Sequence, residues 1–417
     1  MSLQCLTSPQ EEALRLLGLV GADLALPGPL AEHCAVLDWA RWGLTALSGP
    51  VDGPPSAPVV PVAARVRGLL AALEALTGRY GTAVRLDPGQ LLAGRARLHG
   101  WTRGGRQSAN GTSRLIRARD GWLAVSLARP DDLEALPAAL GHPFDGSPWA
   151  ALAAADRPAG ELAARLQLLG IPAAELGASA GLAPLLVTTL GRPGGSGSRD
   201  LVLDLSALWA GPLCASVLGR AGAQVIKVED VHRPDGARFG PAAFYDELHA
   251  GQLSRTLDFA TDRDELLRLA ERADLVIESS RPRALRGLGL VAEDWLRHRP
   301  GRTWVSITGY GRDDPGQRVA FGDDAAVAGG LVADGPAFCG DALADPLTGL
   351  YAALAALASR IGGGGQLVEV RMAGVSADVH RPAPGIERPH PVTAVDGGWT
   401  VAHGSQTVGI EPRAAAV

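Results

Sequence analysis

The carboxylate best placed for chemistry is Asp345, which directly precedes Pro346 and the apolar run PLTGLYAALAALASR. At the N-terminus of the helix this run predicts, the backbone dipole would lower its pKa and keep it ionised for nucleophilic attack. An Asp-Pro pair is equally the ordinary start of a helix, with aspartate as N-cap and proline at the first helical position. Asp341 stands four residues earlier as a rival, and Asp323 with Asp324 forms a third acidic group, for which turn formation is a sufficient reason. Arg233, Arg238, Arg281, Arg283 and Arg286 all follow predicted strands. Guanidinium groups beside helix starts suit phosphates or carboxylates, although exposed loops carry such charges anyway.

The element that must position these groups is LVLDLSALWAGPLCASVLGRAGAQVIKVE, residues 201–229. Leu201 to Leu205 reads as a strand, Gly211-Pro212 opens a helix, Gly222 closes it, and Gln224 to Val228 is a second strand. The strand ends, residues 206–210 and 229–238, would then share one edge of a parallel sheet, where open α/β sheets bind ligands. Further strands are predicted at Asp274 to Glu278, Trp304 to Thr308 and 366–371, with helices at 262–272 and 346–360 between them. Alternating strands and helices predict an α/β fold with a doubly wound, Rossmann-like parallel sheet.

Upstream, residues 8–46 and Pro61 to Thr77 read as helical. Leu115-Ile116 and Trp122 to Leu127 read as a hairpin through Asp120-Gly121, followed by helices at 130–140 and from 159 through LQLLGIPAAEL. These make a small α+β domain. The Gly/Ser-rich 191–200 predicts a linker, so the expected organisation is 1–190, the linker, a large domain at 201–372, and a tail at 373–417 packed on the large domain.

Composition narrows the function. A net charge of −5 gives no basic face for nucleic acid, and no apolar run reaches membrane-spanning length. With no secretory pattern at the N-terminus, the cytoplasm is expected. The four cysteines, Cys5, Cys34, Cys214 and Cys339, lack CxxC spacing and are read as free thiols, with no metal site expected. HExxH, GxGxxG and the P-loop pattern are all missing, and the GASAG string at 177–181 follows a helical run rather than a strand, which disfavours Ser179 as a nucleophile. His232 and His249 read as surface histidines. Lys227 is the only lysine, either a ligand contact or a solvent-facing strand end.

In order, VLDLSALWAGPLCASVLGRAGAQVIKVED, TLDF, ADLVIESSRP, WVSITGYGRDDP and GDALADPLTGLYAALAALASR resemble the family III CoA-transferases, the CaiB/BaiF group. The resemblance covers about 199–372, and more weakly 111–187 is similar to the family's small domain. It implies an acyl-CoA:carboxylate CoA-transferase in which Asp345 forms acyl-aspartyl and aspartyl-CoA intermediates. Coenzyme A would enter as substrate with a small carboxylic acid, no cofactor would stay bound, and subunits would pair as interlocked homodimers. Expected CoA contacts are the turn Trp209, Ala210, Gly211 and Pro212, then Lys227, Glu229, Arg233 and Arg238, then Ser279, Ser280, Arg281 and Arg286. Three departures stand out. AGQLSRTLDF carries Arg255 alone where members have a basic NKRS-type run; VIESS replaces VIENF; and the segment resembling the small domain precedes the large one, as in a permuted or fused and truncated arrangement. The GHD turn of the racemase branch reads Gly322-Asp323-Asp324, which disfavours racemisation by that pair. An acyl-CoA racemase, epimerase or lyase, and a CoA-binding protein without turnover, are the alternatives.

Overall fold

The computed structural model describes residues 8–195, 199–382 and 390–410; Cys5 lies outside them. Among the described residues, thirteen strands form three sheets. Strands β1 (Ser113–Arg117), β2 (Trp122–Ser126) and β3 (Ala173–Glu175) make a small antiparallel sheet. Strands β4 (Leu185–Thr189), β5 (Leu201–Leu205), β6 (Gln224–Asp230), β7 (Leu253–Leu257), β8 (Leu275–Glu278), β9 (Thr303–Thr308) and β10 (Gln366–Arg371) make a seven-stranded sheet. Strands β11 (Val392–Val395), β12 (Gly398–His403) and β13 (Gln406–Ile410) form a terminal meander.

The large sheet has the order β4-β10-β9-β8-β5-β6-β7, parallel except for β4. From β5 the chain runs outward through β6 and β7, then returns to the other side of β5 with β8, β9 and β10. The direction therefore reverses between β5 and β8, and the gap at their C-terminal ends is the topological switch point. Helices cover both faces. Arg263–Arg272 and Ala292–His298 pack on Leu203, Val276 and Trp304; Ala210–Arg220 and Ala344–Ile361 pack on the opposite face.

The helix Ala344–Ile361 is central because its alanines and leucines are buried nearly all round. Beneath it lie Ala210–Arg220 and the sheet; over it lies the N-terminal helix Val62–Tyr80, so the described N-terminal residues up to Tyr80 add to the same core. Gly349 permits the closest approach: a Cβ there would sit 2.6 Å from the carbonyl oxygen of Ala210. Asp345 and Gly349 are four residues apart and share a helix face. The glycine contact therefore carries the carboxylate to the turn after β5.

Several expectations change. Residues 8–46 are two helices, Pro9–Leu19 and Ala35–Arg41, with irregular chain through Pro27 and Pro29. The helix from Ala159 stops at Leu168, and Ala173–Glu175 pairs with β2 as a strand. The domain boundary moves upstream, since β4 precedes the linker yet pairs with β10. The linker's described part is bound to the core: Gly191 and Gly194 donate backbone hydrogen bonds to the carbonyls of Gly365 and Gly363. The terminal meander packs through Val401 and Ile410 on Leu37, Ala40 and Ala46, so that part of the tail rests on the N-terminal segment rather than on the sheet.

Candidate active site

A cavity of about 220 Å³ opens at the switch point. Its floor comes from Ala207, Leu208 and Ala210 after β5, Ser279, Ser280 and Arg281 after β8, and Ile307 to Gly309 at the end of β9. Arg312, Arg318 and Phe321 form another side, and Asp345 stands on the wall.

Asp345 is the second residue of its helix; Leu343 is the N-cap. It is therefore not an N-cap, and its carboxylate lies beside Gly322, whose backbone N–H favours the ionised form. Gly322 is required at that contact, because a Cβ would lie 2.6 Å from Asp345 Oδ2 and 2.4 Å from the carbonyl oxygen of Ala342. Burial dominates the charge balance and pushes the Asp345 carboxyl up to about 7, against the pull of Arg95 and the Gly322 N–H and with the push of Asp323 and Asp341. The expected lowering by the helix terminus is outweighed: the dipole contributes at most about 2 kcal/mol, less than a buried carboxylate loses in solvation.

Arg95 comes from the helix Pro88–His99, far upstream. Its guanidinium forms a two-pronged pair with buried Asp341, at 2.8 and 2.6 Å, and stacks 4.7 Å from the Trp209 ring centroid. Asp323 accepts from Ser113 Oγ at 3.0 Å, Asn110 Nδ2 at 3.2 Å and the Ala342 N–H at 3.1 Å. Asp324 accepts from Ser126 Oγ at 2.9 Å and the Phe321 N–H at 3.0 Å, while burial, only partly offset by those bonds, raises it to about 7. The hydroxyls of β1 and β2 thus tie the small sheet to the turn that touches Asp345.

Positive charge gathers at the mouth. Partial burial, then the neighbouring charges of Arg283, Arg129 and Arg233, hold the Arg281 guanidinium below its ordinary pKa. Mutual repulsion of this kind favours binding of a polyanion across the group. Arg129, from the small domain, is occupied: its guanidinium pairs with Asp132 at 2.6 Å and donates to the Gly170 carbonyl at 2.6 Å.

Of the sequence-predicted residues, Asp345, Ala210, Ser279, Ser280, Arg281 and Arg283 line the cavity, and Arg233 stands near enough to Arg281 to act on its charge. The others stand elsewhere. Lys227 is 1% exposed and neither faces solvent nor reaches the cavity: it donates to the Ser206 carbonyl and to Asp235 Oδ2 at 3.0 Å, with Asp204 at 3.7 Å. These buried groups brace the turn after β5. Glu229 is equally internal; burial opposes its ionisation, but bonds from Arg238, the Asp235 N–H and Tyr245 hold it down to about 2. Arg238 is occupied by that carboxylate at 2.7 Å, and Arg286 by Glu293 at 3.1 Å. Trp209 turns away toward Arg95 and Phe244, and Gly211 and Pro212 are buried in the first helical turn.

Sequence reasoning missed Arg312, Arg318, Arg129, Arg95 and Gly322. Arg312 and Arg318 follow β9, a strand on the same edge, so the strand-end rule would have found them. Arg95 and Arg129 carry no local signal.

Residues 200–391 match the model of CoA-transferase family III. The match covers somewhat less than half of the chain. The chain is 31% identical over 189 residues to the succinyl-CoA–D-citramalate CoA-transferase of Chloroflexus aurantiacus, covering 40% of this chain and 47% of that protein. It is 33% identical over 215 residues to the succinate–glutarate CoA-transferase of Agrobacterium fabrum, covering 45% and 53%. A solved CaiB/BaiF family protein from Brucella suis aligns at 26% identity and a TM-score of 0.43, covering 50% of this chain and 66% of that one. The chain thus spans about half the length of these curated relatives. Asp345, Gly322 and the strand-end loops fall inside the matched residues, whereas Arg95 and Arg129 come before them.

Proposed function

We propose that the protein is an acyl-CoA:carboxylate CoA-transferase with Asp345 as its nucleophile. The observation that carries this is a carboxylate without a capping role, seated on the wall of a switch-point cavity whose mouth is ringed by arginines. In this reading the acyl thioester end enters the cavity and the phosphates lie across Arg281, Arg283 and Arg233.

In the first step an ionised Asp345 oxygen attacks the thioester carbonyl, the C–S bond breaks and the CoA thiolate leaves, giving an acyl-aspartyl anhydride. The thiolate then attacks the aspartyl carbonyl, releasing the donor acid and leaving aspartyl-CoA. An acceptor carboxylate attacks that thioester, and the freed thiolate attacks the acceptor's acyl carbonyl, so that the new CoA ester departs and Asp345 is regenerated. The Gly322 N–H beside the carboxylate would bear part of its charge.

The relatives' names motivate succinyl-CoA and a dicarboxylic acceptor as the first pair to assay. The proposal includes a cytoplasmic setting and the paired subunits that the family resemblance implies; among the described residues no helix is long and apolar enough to cross a membrane. The test is incubation with succinyl-CoA and a panel of carboxylates, followed by hydroxylamine and mass spectrometry of the Asp345 peptide. An adduct at Asp345 and loss of turnover in Asp345→Ala are expected; full turnover in that variant refutes the role. Proton abstraction by Asp323 is disfavoured because both of its oxygens accept hydrogen bonds. Solvent deuterium at the α-carbon without CoA exchange would reverse that judgement.

A further inference from the structure

Away from the cavity, three potential metal ligands from opposite ends of the chain converge. Cys34 immediately precedes the helix Ala35–Arg41, His390 stands two residues before β11, and His403 ends β12. Their donor atoms all lie within 4.8 Å of one another, and Cys34 Sγ is 3.1 Å from His390 Nε2. The two imidazoles stack with centroids 4.7 Å apart and planes at 21°.

We propose that Cys34, His390 and His403 bind one zinc-type divalent ion that fastens the C-terminal meander to the N-terminal helical segment. A thiolate with two imidazoles is a borderline-soft donor set, suited to zinc and unsuited to magnesium or calcium. Ligand bonds of about 2.0–2.3 Å place tetrahedral donors roughly 3.5 Å apart, so the trio needs adjustments of about an ångström or less. All three side chains are half-buried, which leaves solvent access for a fourth, water ligand. Binding converts the Cys34 thiol to a thiolate and releases its proton.

The meander's packing gives an independent reason for such a fastening. It rests on the chain through a cluster of only five buried apolar residues, Leu37, Ala40, Ala46, Val401 and Ile410, and β11 is largely exposed. A sheet with so thin a core gains most from a metal staple. The ion would also close a loop of more than 350 residues between Cys34 and His390, where the constraint on the unfolded chain is large. None of the three residues lines the switch-point cavity, so this role is structural and stands apart from the proposed transferase activity.

The test uses the full chain, purified without a metal-affinity tag, stripped with chelator and titrated with Zn²⁺ and then Co²⁺. The expected result is one ion per chain, a higher thermal midpoint with Zn²⁺, and a thiolate-to-cobalt charge-transfer band. Cys34→Ser should lose the band, and His390→Asn and His403→Asn should each weaken binding at least about tenfold. His403→Cys, which keeps a ligand, should retain a bound ion and guards against a folding defect. Failure of the unmodified chain to bind stoichiometrically overturns the proposal, as does binding unchanged in all three ligand-removing variants. In either case the Cys34–His390 contact is a plain hydrogen bond.

Discussion

Replacing Asp345 with asparagine should make the protein more stable near neutral pH while abolishing transfer. In the folded chain burial raises the Asp345 carboxyl to about 7, well above its ordinary value. Below about pH 4 both folded and unfolded chains hold the proton, and the site costs nothing. As pH rises, the unfolded chain ionises first while the folded site resists, so stability is lost progressively up to about pH 7 and then levels off. A rise from 3.8 to about 7 sets an upper bound of about 4 kcal/mol on that loss. Cavity water and the cost of seating an amide reduce the expected gain in Asp345→Asn to about 1–3 kcal/mol above pH 7. The amide oxygen can still lie beside the Gly322 N–H, so the substitution removes charge with little change of shape. Thermal unfolding of both proteins at pH 5 and pH 8 measures the effect: the variant's advantage should be larger at pH 8. An advantage that is missing, or equal at the two pH values, refutes the claim that this carboxylate is held at a folding cost.

Other outcomes follow from the same geometry. Arg95→Met removes the positive charge that opposes burial at Asp345 and leaves buried Asp341 unpaired; the acid limb of the pH–rate profile should move to higher pH, with a stability loss of about 3–5 kcal/mol by denaturation. Gly322→Ala places a methyl group against the Asp345 carboxylate, and kcat should fall at least about tenfold. The double variant Arg281→Ala with Arg283→Ala should raise the KM for acyl-CoA while sparing kcat, and the wild-type KM should itself rise with salt; equal losses in kcat would mean that these arginines act on the transition state instead. Asp324→Asn should relieve a second buried carboxylate, giving extra thermal stability at pH 8 relative to pH 5 without loss of activity.

Five strands of the large sheet, β5, β6, β8, β9 and β10, were legible because their apolar runs are bounded by Gly, Pro and charged turns, and the β5–β6 unit could be read almost to the residue; the edge strands β4 and β7, largely exposed, were missed. The spacing of Asp345 and Gly349 was legible as a motif; its physical meaning, a helix brought against the Ala210 carbonyl, was not. Lys227 and Glu229 misled because their position at a strand end says which edge they occupy but not whether they point outward. Each found internal partners within about ten residues, in Asp235 and Arg238.

The sequence by itself determined the mostly parallel α/β architecture, because that depends on local periodicity and on which residues end strands and begin helices. Only the tertiary structure decided that Asp345 does not cap its helix, that burial rather than the helix dipole sets its proton affinity, and that Arg95 and Arg129 arrive from segments outside the matched residues. Those facts are sums over contacts between residues up to 250 positions apart, as in the Arg95–Asp341 pair, and no window of sequence contains them.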